Sequence, residues 1–211
     1  MFGTMISRIA LAFGAFAPVP LLAQTVPPAP PLSTAPHEDL VNVAIDTSVG
    51  RIVIALDRGR APITTANFLR YVDAHRFDNE TFYRSMHIAG SGLIQGGVRS
   101  DTRKLFPPIA DEPSSKTGLH NVKGAISMAR LGPNSAQADF FILMDNVPGF
   151  DAGAPGGVDP DGFAAFGHVV DGMDVVNTIY NAPVSATMGE GAMKGQMLDP
   201  VIKILKVTRV K

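Results

Sequence analysis

The sequence predicts a mainly β domain, an antiparallel barrel or sandwich with helices over its open ends. Two observations carry the prediction. About eight short apolar stretches alternate in the manner of strands between glycine-rich turns, and only two stretches show helical spacing. A parallel β/α fold needs more helices than this. Of the 211 residues, 45% are hydrophobic and 18% charged, which places most of the chain among globular rather than disordered sequences. Eighteen Lys plus Arg face 19 Asp plus Glu, so neither nucleic acid nor an anionic membrane is an expected partner. The chain has no cysteine, which excludes disulfides, thiol nucleophiles and thiolate metal sites.

Residues 1–23 are expected to be a secretory signal: Arg8 precedes an uncharged apolar run, Ile9 to Ala23, and small residues lie near its end. The run is shorter than the ~20 residues of a membrane span, and Pro18 and Pro20 interrupt it. A periplasmic or secreted location follows as an expectation, with no integral span in the mature chain. Residues 24–39 form a proline-rich linker, in which Thr25 to Pro36 holds five prolines and no charge. The folded domain is expected over residues 40–211.

Within it, Val41, Val43 and Ile45 alternate with Asn42, Ala44 and Asp46; a turn at Ser48 to Gly50 leads into the alternating Ile52, Ile54 and Leu56, a hairpin pattern. Pro62 to His75 reads as helix, with Pro at its start and Ile63, Ala66, Phe68, Leu69 and Val72 at three-and-four spacing. Strands are expected at Thr81 to Arg84, Leu93 to Gln95, Ala125 to Ala129, Phe140 to Met144, Ala164 to Val169 and Val201 to Val207. A second, shorter helix is expected at Asp174 to Tyr180.

Most familiar catalytic signatures are missing: no HExxH, no GxxxxGK[ST], no GxSxG, and no GxGxxG between a strand and a helix. The five histidines lack metal-ligand spacing. Asp151, Asp159 and Asp161 lie in a glycine-rich stretch that lacks the closing Glu of a calcium loop, so it reads as a long surface loop.

What remains is a set of ordered motifs: F-Y-R at Phe82 to Arg84, L-I-Q-G-G at Leu93 to Gly97, S-M-A-R-L-G-P-N at Ser127 to Asn134 and D-F-F-I at Asp139 to Ile142. A-P-I-T-T-A-N-F (Ala61 to Phe68), H-x-x-x-G (His120 to Gly124) and F-G-H-V-V-D-G-M (Phe166 to Met173) accompany them. In this order and spacing the chain resembles the cyclophilin-type peptidyl-prolyl cis-trans isomerases over essentially all of residues 41–211. The resemblance implies an eight-stranded antiparallel barrel capped by two helices, no cofactor and no metal, and proline-containing segments of unfolded or folding proteins as partners of a monomer.

The chemistry suits the residue types. Partial double-bond character sets a barrier of ~18–20 kcal/mol to rotation, and no bond need break. A catalyst has only to favour the twisted state, whose prolyl nitrogen regains a lone pair able to accept a hydrogen bond. A guanidinium, always charged and planar, is a suitable donor, and Arg84 is the candidate catalytic residue. A rate gain of ~10⁵ requires about 7 kcal/mol, so desolvation and anchoring must contribute as well.

By the resemblance, Phe140 lines the pocket for the proline ring with Leu93 and Phe150 beside it, and Gln95 hydrogen-bonds a substrate carbonyl. Ala129 and Arg130 line the path of the extended peptide, Arg130 through its backbone. Strand alternation then turns Phe141 to the face away from catalysis, and Tyr83 is either a rim contact or core. The family pattern is broken by a three-residue insertion around His87 to Ser91, by Gly92 in place of a pocket Phe and by Gly149 in place of a Trp, which disfavours tight cyclosporin binding. Phe163 stands in place of a pocket His, where it supplies apolar wall, and Asp139 stands where Gln is common, adding negative charge near the groove. Two functions follow: an isomerase that accelerates folding of exported proteins, or a peptide-binding module on the same barrel with weak or lost catalysis.

Overall fold

The computed structural model describes residues 38–211 except Ser100 and Val158. The expected signal and nearly all of the proline-rich stretch therefore lie outside the described residues. Among the described residues no helix is long and apolar enough to cross a membrane.

Eight strands close into an antiparallel barrel. They are β1 (Leu40–Thr47), β2 (Gly50–Asp57), β3 (Thr81–Met86), β4 (Leu93–Gly97), β5 (Ala125–Met128), β6 (Phe140–Leu143), β7 (Ala165–Asp171) and, after a two-residue strand β8 (Val184–Ser185), β9 (Met197–Arg209). Round the barrel the order is β1-β2-β7-β5-β6-β4-β3-β9, and β9 returns to pair with β1, which leaves no open edge among the eight; β8 is a short flap on β9. The alternation in Val41 to Leu56 becomes the β1–β2 hairpin, with Val43, Ile45, Ile52 and Ile54 all buried in the interior.

Helix α1 (Pro62–Asp73) and helix α3 (Met173–Tyr180) are the two expected helices. Helix α2 (Ser114–Thr117) is a single extra turn, too short to show any apolar period. Helix α1 begins with Pro62, whose missing N–H would have had no helical partner. The next two donors, Ile63 and Thr64 N–H, bond the buried carboxylate of Glu112 at 3.0 and 2.6 Å, so a residue distant in sequence caps the helix. Phe68, Leu69 and Val72 of α1, with Val176 and Ile179 of α3, then complete the core. A second, smaller apolar cluster is separate from it: Met86, Leu93, Ala125, Phe141, Leu143 and Val147. That cluster contains Leu93 and Phe141 and borders Ala129, Phe150 and Phe163.

Candidate active site

Strand register decides which side chains meet on one face. In β3 the pairing with β4 skips one residue: Phe82 pairs with Gly96 and Arg84 with Gln95, so Tyr83 is the extra residue of a β-bulge against β4. Gln95 pairs with Phe141, and Phe141 with Ser127. Arg84, Gln95, Phe141 and Ser127 therefore form one row across four strands, because residues directly opposite share a face. The neighbouring row, Phe82, Gly96, Phe140 and Met128, belongs to the barrel interior.

The guanidinium of Arg84 is half-buried and tightly held. Its Nε and Nη2 donate to Gln196 Oε1 at 2.9 and 2.7 Å, Nη1 donates to Gln95 Oε1 at 2.9 Å, and Nη2 lies 3.3 Å from the Met86 sulfur. Of the five N–H donors of an arginine, these contacts leave one Nη1 hydrogen for a ligand. Burial pushes the group below the usual arginine range, a sign that water around the cation is scarce. Gln196 lies 112 residues away in sequence and was not a candidate from sequence.

The apolar cluster corrects one assignment. Phe140 is 0% exposed inside the barrel, packed edge-on to Phe68, Phe77 and Phe82 at 5.3–5.7 Å, and does not line the groove. Phe141 does. It is 3% exposed, packs edge-on to Phe150 at 5.9 Å and to Phe163 at 5.4 Å, and belongs to the same cluster as Leu93 and Ala129. The assignment of Phe141 to the non-catalytic face is therefore reversed. Both faces of β6 are apolar, so alternation alone could not tell them apart. Leu93, Phe150 and Phe163 pack with Phe141 in one apolar cluster. Met86 joins them and was missed.

A side chain at position 92 would displace its neighbours: a Cβ built on Gly92 lies 2.7 Å from Tyr180 Oη and 3.0 Å from Asp145 Oδ2. Tyr180 is held there by the insertion, whose His87 ring stacks on it at 4.0 Å. Phe163 packs edge-on against both Phe141 and Phe150, at 5.4 and 5.0 Å.

Gln95 also lines a cavity of about 370 Å³ whose walls include Tyr83, Arg99, Ala129, Arg130 and Asp139. Asp139 enters this wall because Gly97, at φ +136°, has no side chain: a Cβ there would fall 2.5 Å from Asp139 Oδ1. Burial pushes the Asp139 carboxyl up to about 6, against the bonds from the Tyr83 hydroxyl and the Arg99 N–H. Burial likewise raises the Tyr83 phenol well above its usual range, with Asp139 adding to it.

Arg130 is not available to substrate through its side chain, which is 3% exposed. Its guanidinium grips Asp159 by two bonds (2.8 and 3.2 Å) and the Gly162 carbonyl at 2.6 Å, which anchors the 151–163 loop and with it Phe163. The same grip holds the Asp159 carboxyl below the usual range. The backbone of Arg130 lies beyond the last residue of β5, at the rim of the cavity. Asn121, 1% exposed, is the second anchor: its Nδ2 donates to the carbonyls of Phe150 and Phe163, each at 3.0 Å, and its Oδ1 accepts from Ser127 Oγ at 2.7 Å. Asn121→Ala leaves those buried groups unsatisfied, and urea unfolding is expected to show a loss of about 3 kcal/mol. A loss near zero would remove Asn121 from this role.

Comparison with known proteins agrees with the geometry. Residues 41–209 match the family described as "Cyclophilin type peptidyl-prolyl cis-trans isomerase/CLD". "Peptidyl-prolyl cis-trans isomerase A" of Dickeya dadantii is 36% identical over 141 residues, 65% of this chain and 70% of that protein. "Peptidyl-prolyl cis-trans isomerase cyp18" of Streptomyces antibioticus is 35% identical over 153 residues, 70% of this chain and 87% of that protein. A crystal structure of a cyclophilin type peptidyl-prolyl cis-trans isomerase from Cryptosporidium parvum superposes with a TM-score of 0.66 at 24% identity, covering 82% of this chain and 99% of that one, a likeness of fold. A closed eight-stranded barrel, the family match over residues 41–209 and relatives at 35–36% identity make this chain a member of the cyclophilin-type peptidyl-prolyl cis-trans isomerases.

Proposed function

We propose that the chain accelerates rotation about X-Pro peptide bonds in exported proteins as they fold, with Arg84 as its catalytic residue. The observation that carries this reading is the row in which Arg84, Gln95 and Phe141 share one outer face beside Phe150 and Phe163. The pocket holds the proline ring, and burial of that ring fixes one side of the bond. The Gln95 amide bonds a carbonyl of the bound peptide. As the bond twists and conjugation is lost, the remaining Nη1 hydrogen of Arg84 turns to the prolyl nitrogen, whose lone pair exists only in the twisted state. The interaction is thus stronger in the transition state than in the planar ground states, which is what raises the rate. Gln196 and Gln95 hold the cation in place, so little reorganisation is needed at that moment.

The exported location rests on the leader-like residues 1–23 and the linker after them. Fractionation of cells expressing the full chain is expected to release a periplasmic or secreted protein whose amino terminus lies near Gln24. A cytoplasmic product starting at Met1 would contradict export. Isomerisation itself is tested by exchange NMR on a blocked Pro-containing tetrapeptide, in which added protein is expected to broaden or cross-link the cis and trans signals. A peptide that binds without any faster exchange would favour the binding module without catalysis.

A further inference from the structure

A continuous line of hydrogen bonds runs behind the site, from the wall of the cavity to the cation. The Arg99 N–H donates to Asp139 Oδ1 at 2.8 Å, the Tyr83 hydroxyl donates to Asp139 Oδ2 at 2.8 Å, Gln95 Nε2 donates to the Tyr83 oxygen at 2.7 Å, and Arg84 Nη1 donates to Gln95 Oε1 at 2.9 Å. Donor and acceptor roles along this line are dictated from both ends. A guanidinium can only donate, so the Gln95 atom facing Arg84 is its oxygen. The Gln95 NH₂ then faces Tyr83, whose oxygen must accept, and the hydroxyl hydrogen has one acceptor left, Asp139. An ionised carboxylate can only accept, which completes the line with every hydrogen placed.

Protonation of Asp139 at Oδ2 breaks that order. Two donors then converge on the Tyr83 oxygen, and the hydroxyl hydrogen loses its acceptor in a buried position. The alternative is rotation of the Gln95 amide, which would turn its NH₂ against the guanidinium. Either arrangement weakens the bond that holds Gln95 to Arg84.

We propose that Tyr83 and Asp139 are positioning residues for the isomerisation: the Asp139 carboxylate, acting through the Tyr83 hydroxyl, dictates which end of the Gln95 amide meets Arg84. The proposal rests on the reading of Arg84 and Gln95 given above. It assigns a task to the β-bulge, since Tyr83 is the extra residue that reaches both Gln95 and Asp139. The charged and titratable groups facing the pair are Arg99, whose guanidinium lies 4.9 Å from the Tyr83 ring centre, Glu80, which pairs with Lys104, and Tyr71 near Asp139 and Arg84 near Tyr83. Asp139, held up to about 6 by burial, is the member that titrates near neutral pH, while Tyr83 keeps its proton throughout. No histidine contact interrupts the line: His87 bonds Ser85 and stacks on Tyr180, and His120 bonds Asp151.

The test is a pH profile of kcat/KM by exchange NMR, pH 5 to 8, on a blocked peptide with no titratable group. Wild type is expected to lose activity by about tenfold between pH 7.5 and pH 5 along a single protonation curve centred near 6. Tyr83→Phe is expected to be several-fold less active at pH 7.5, to bind the peptide with unchanged affinity, and to lack the acid limb. In wild type the Gln95 side-chain NH₂ resonances are expected to shift with the same midpoint, and in Tyr83→Phe to stay still. Asp139→Asn, which removes the titrating group while keeping its size, provides the same readouts should Tyr83→Phe fold poorly. A flat wild-type profile, or an acid limb that persists in both variants, overturns the proposal while leaving the isomerase reading intact. Absence of wild-type activity at every pH overturns that reading and the proposal together.

Discussion

Phe140→Ala is expected to cost about 3–5 kcal/mol of folding stability, because it empties a fully buried ring site at the centre of the aromatic core. Its neighbour should behave in the opposite way. Phe141 lies on the outer face with Phe150 and Phe163, so Phe141→Ala removes the wall against which the proline ring packs. Loss of a contact of that size is worth about 1–3 kcal/mol in binding, or roughly 5- to 150-fold in kcat/KM, seen mainly as a raised KM. Activity per folded molecule in Phe140→Ala is expected to stay within about threefold of wild type, since the ring touches nothing in the groove. Urea unfolding and exchange NMR on both variants check the pair. The reverse pattern would return Phe140 to the pocket and contradict the register of β4 on β6.

That pair also shows how far the sequence could be read. The β1–β2 hairpin and helix α1 were legible because their apolar residues keep a single period over eight or more positions. Strand β6 is four apolar residues, and its inward and outward faces are equally hydrophobic. The signal that distinguishes them sits in the paired strand: Ser127 is the polar residue of β5, and it pairs with Phe141 on the outer face. Arg84 and Gln95 were found as residues, but the bulge that aligns them leaves no mark in the composition, because it shifts pairing by one position and changes no residue. Gln196, Asn121 and Glu112 were not found at all. Each is an isolated polar residue whose partners lie elsewhere in the chain, so no local period points to it. The stretch at 151–162 was read as a surface loop; it is also the mount for the adjoining Phe163, tied down by Arg130 through Asp159 and Gly162.

Arg84 carries the larger prediction. Arg84→Ala is expected to lower kcat by about 10²–10³, the usual cost of removing one preorganised donor from a site that stabilises developing charge or a lone pair. Arg84→Lys keeps the charge but cannot span Gln95 and Gln196 with a planar fork, so it should recover no more than about tenfold of the loss. Stability should change little in either variant, because the desolvated cation contributes strain as well as hydrogen bonds, and loss of the donors leaves two amides at a half-buried face where water can reach them.

In this mechanism the cation acts on the twisted bond rather than on the resting peptide. The decisive measurement is made on one set of samples: the exchange rate of a blocked Pro-containing peptide at saturation, and the dissociation constant of the same peptide, for wild type and Arg84→Ala. A collapse in the exchange rate with a dissociation constant within about threefold of wild type is the predicted result. Binding weakened by two orders of magnitude with the saturated rate unchanged would contradict it.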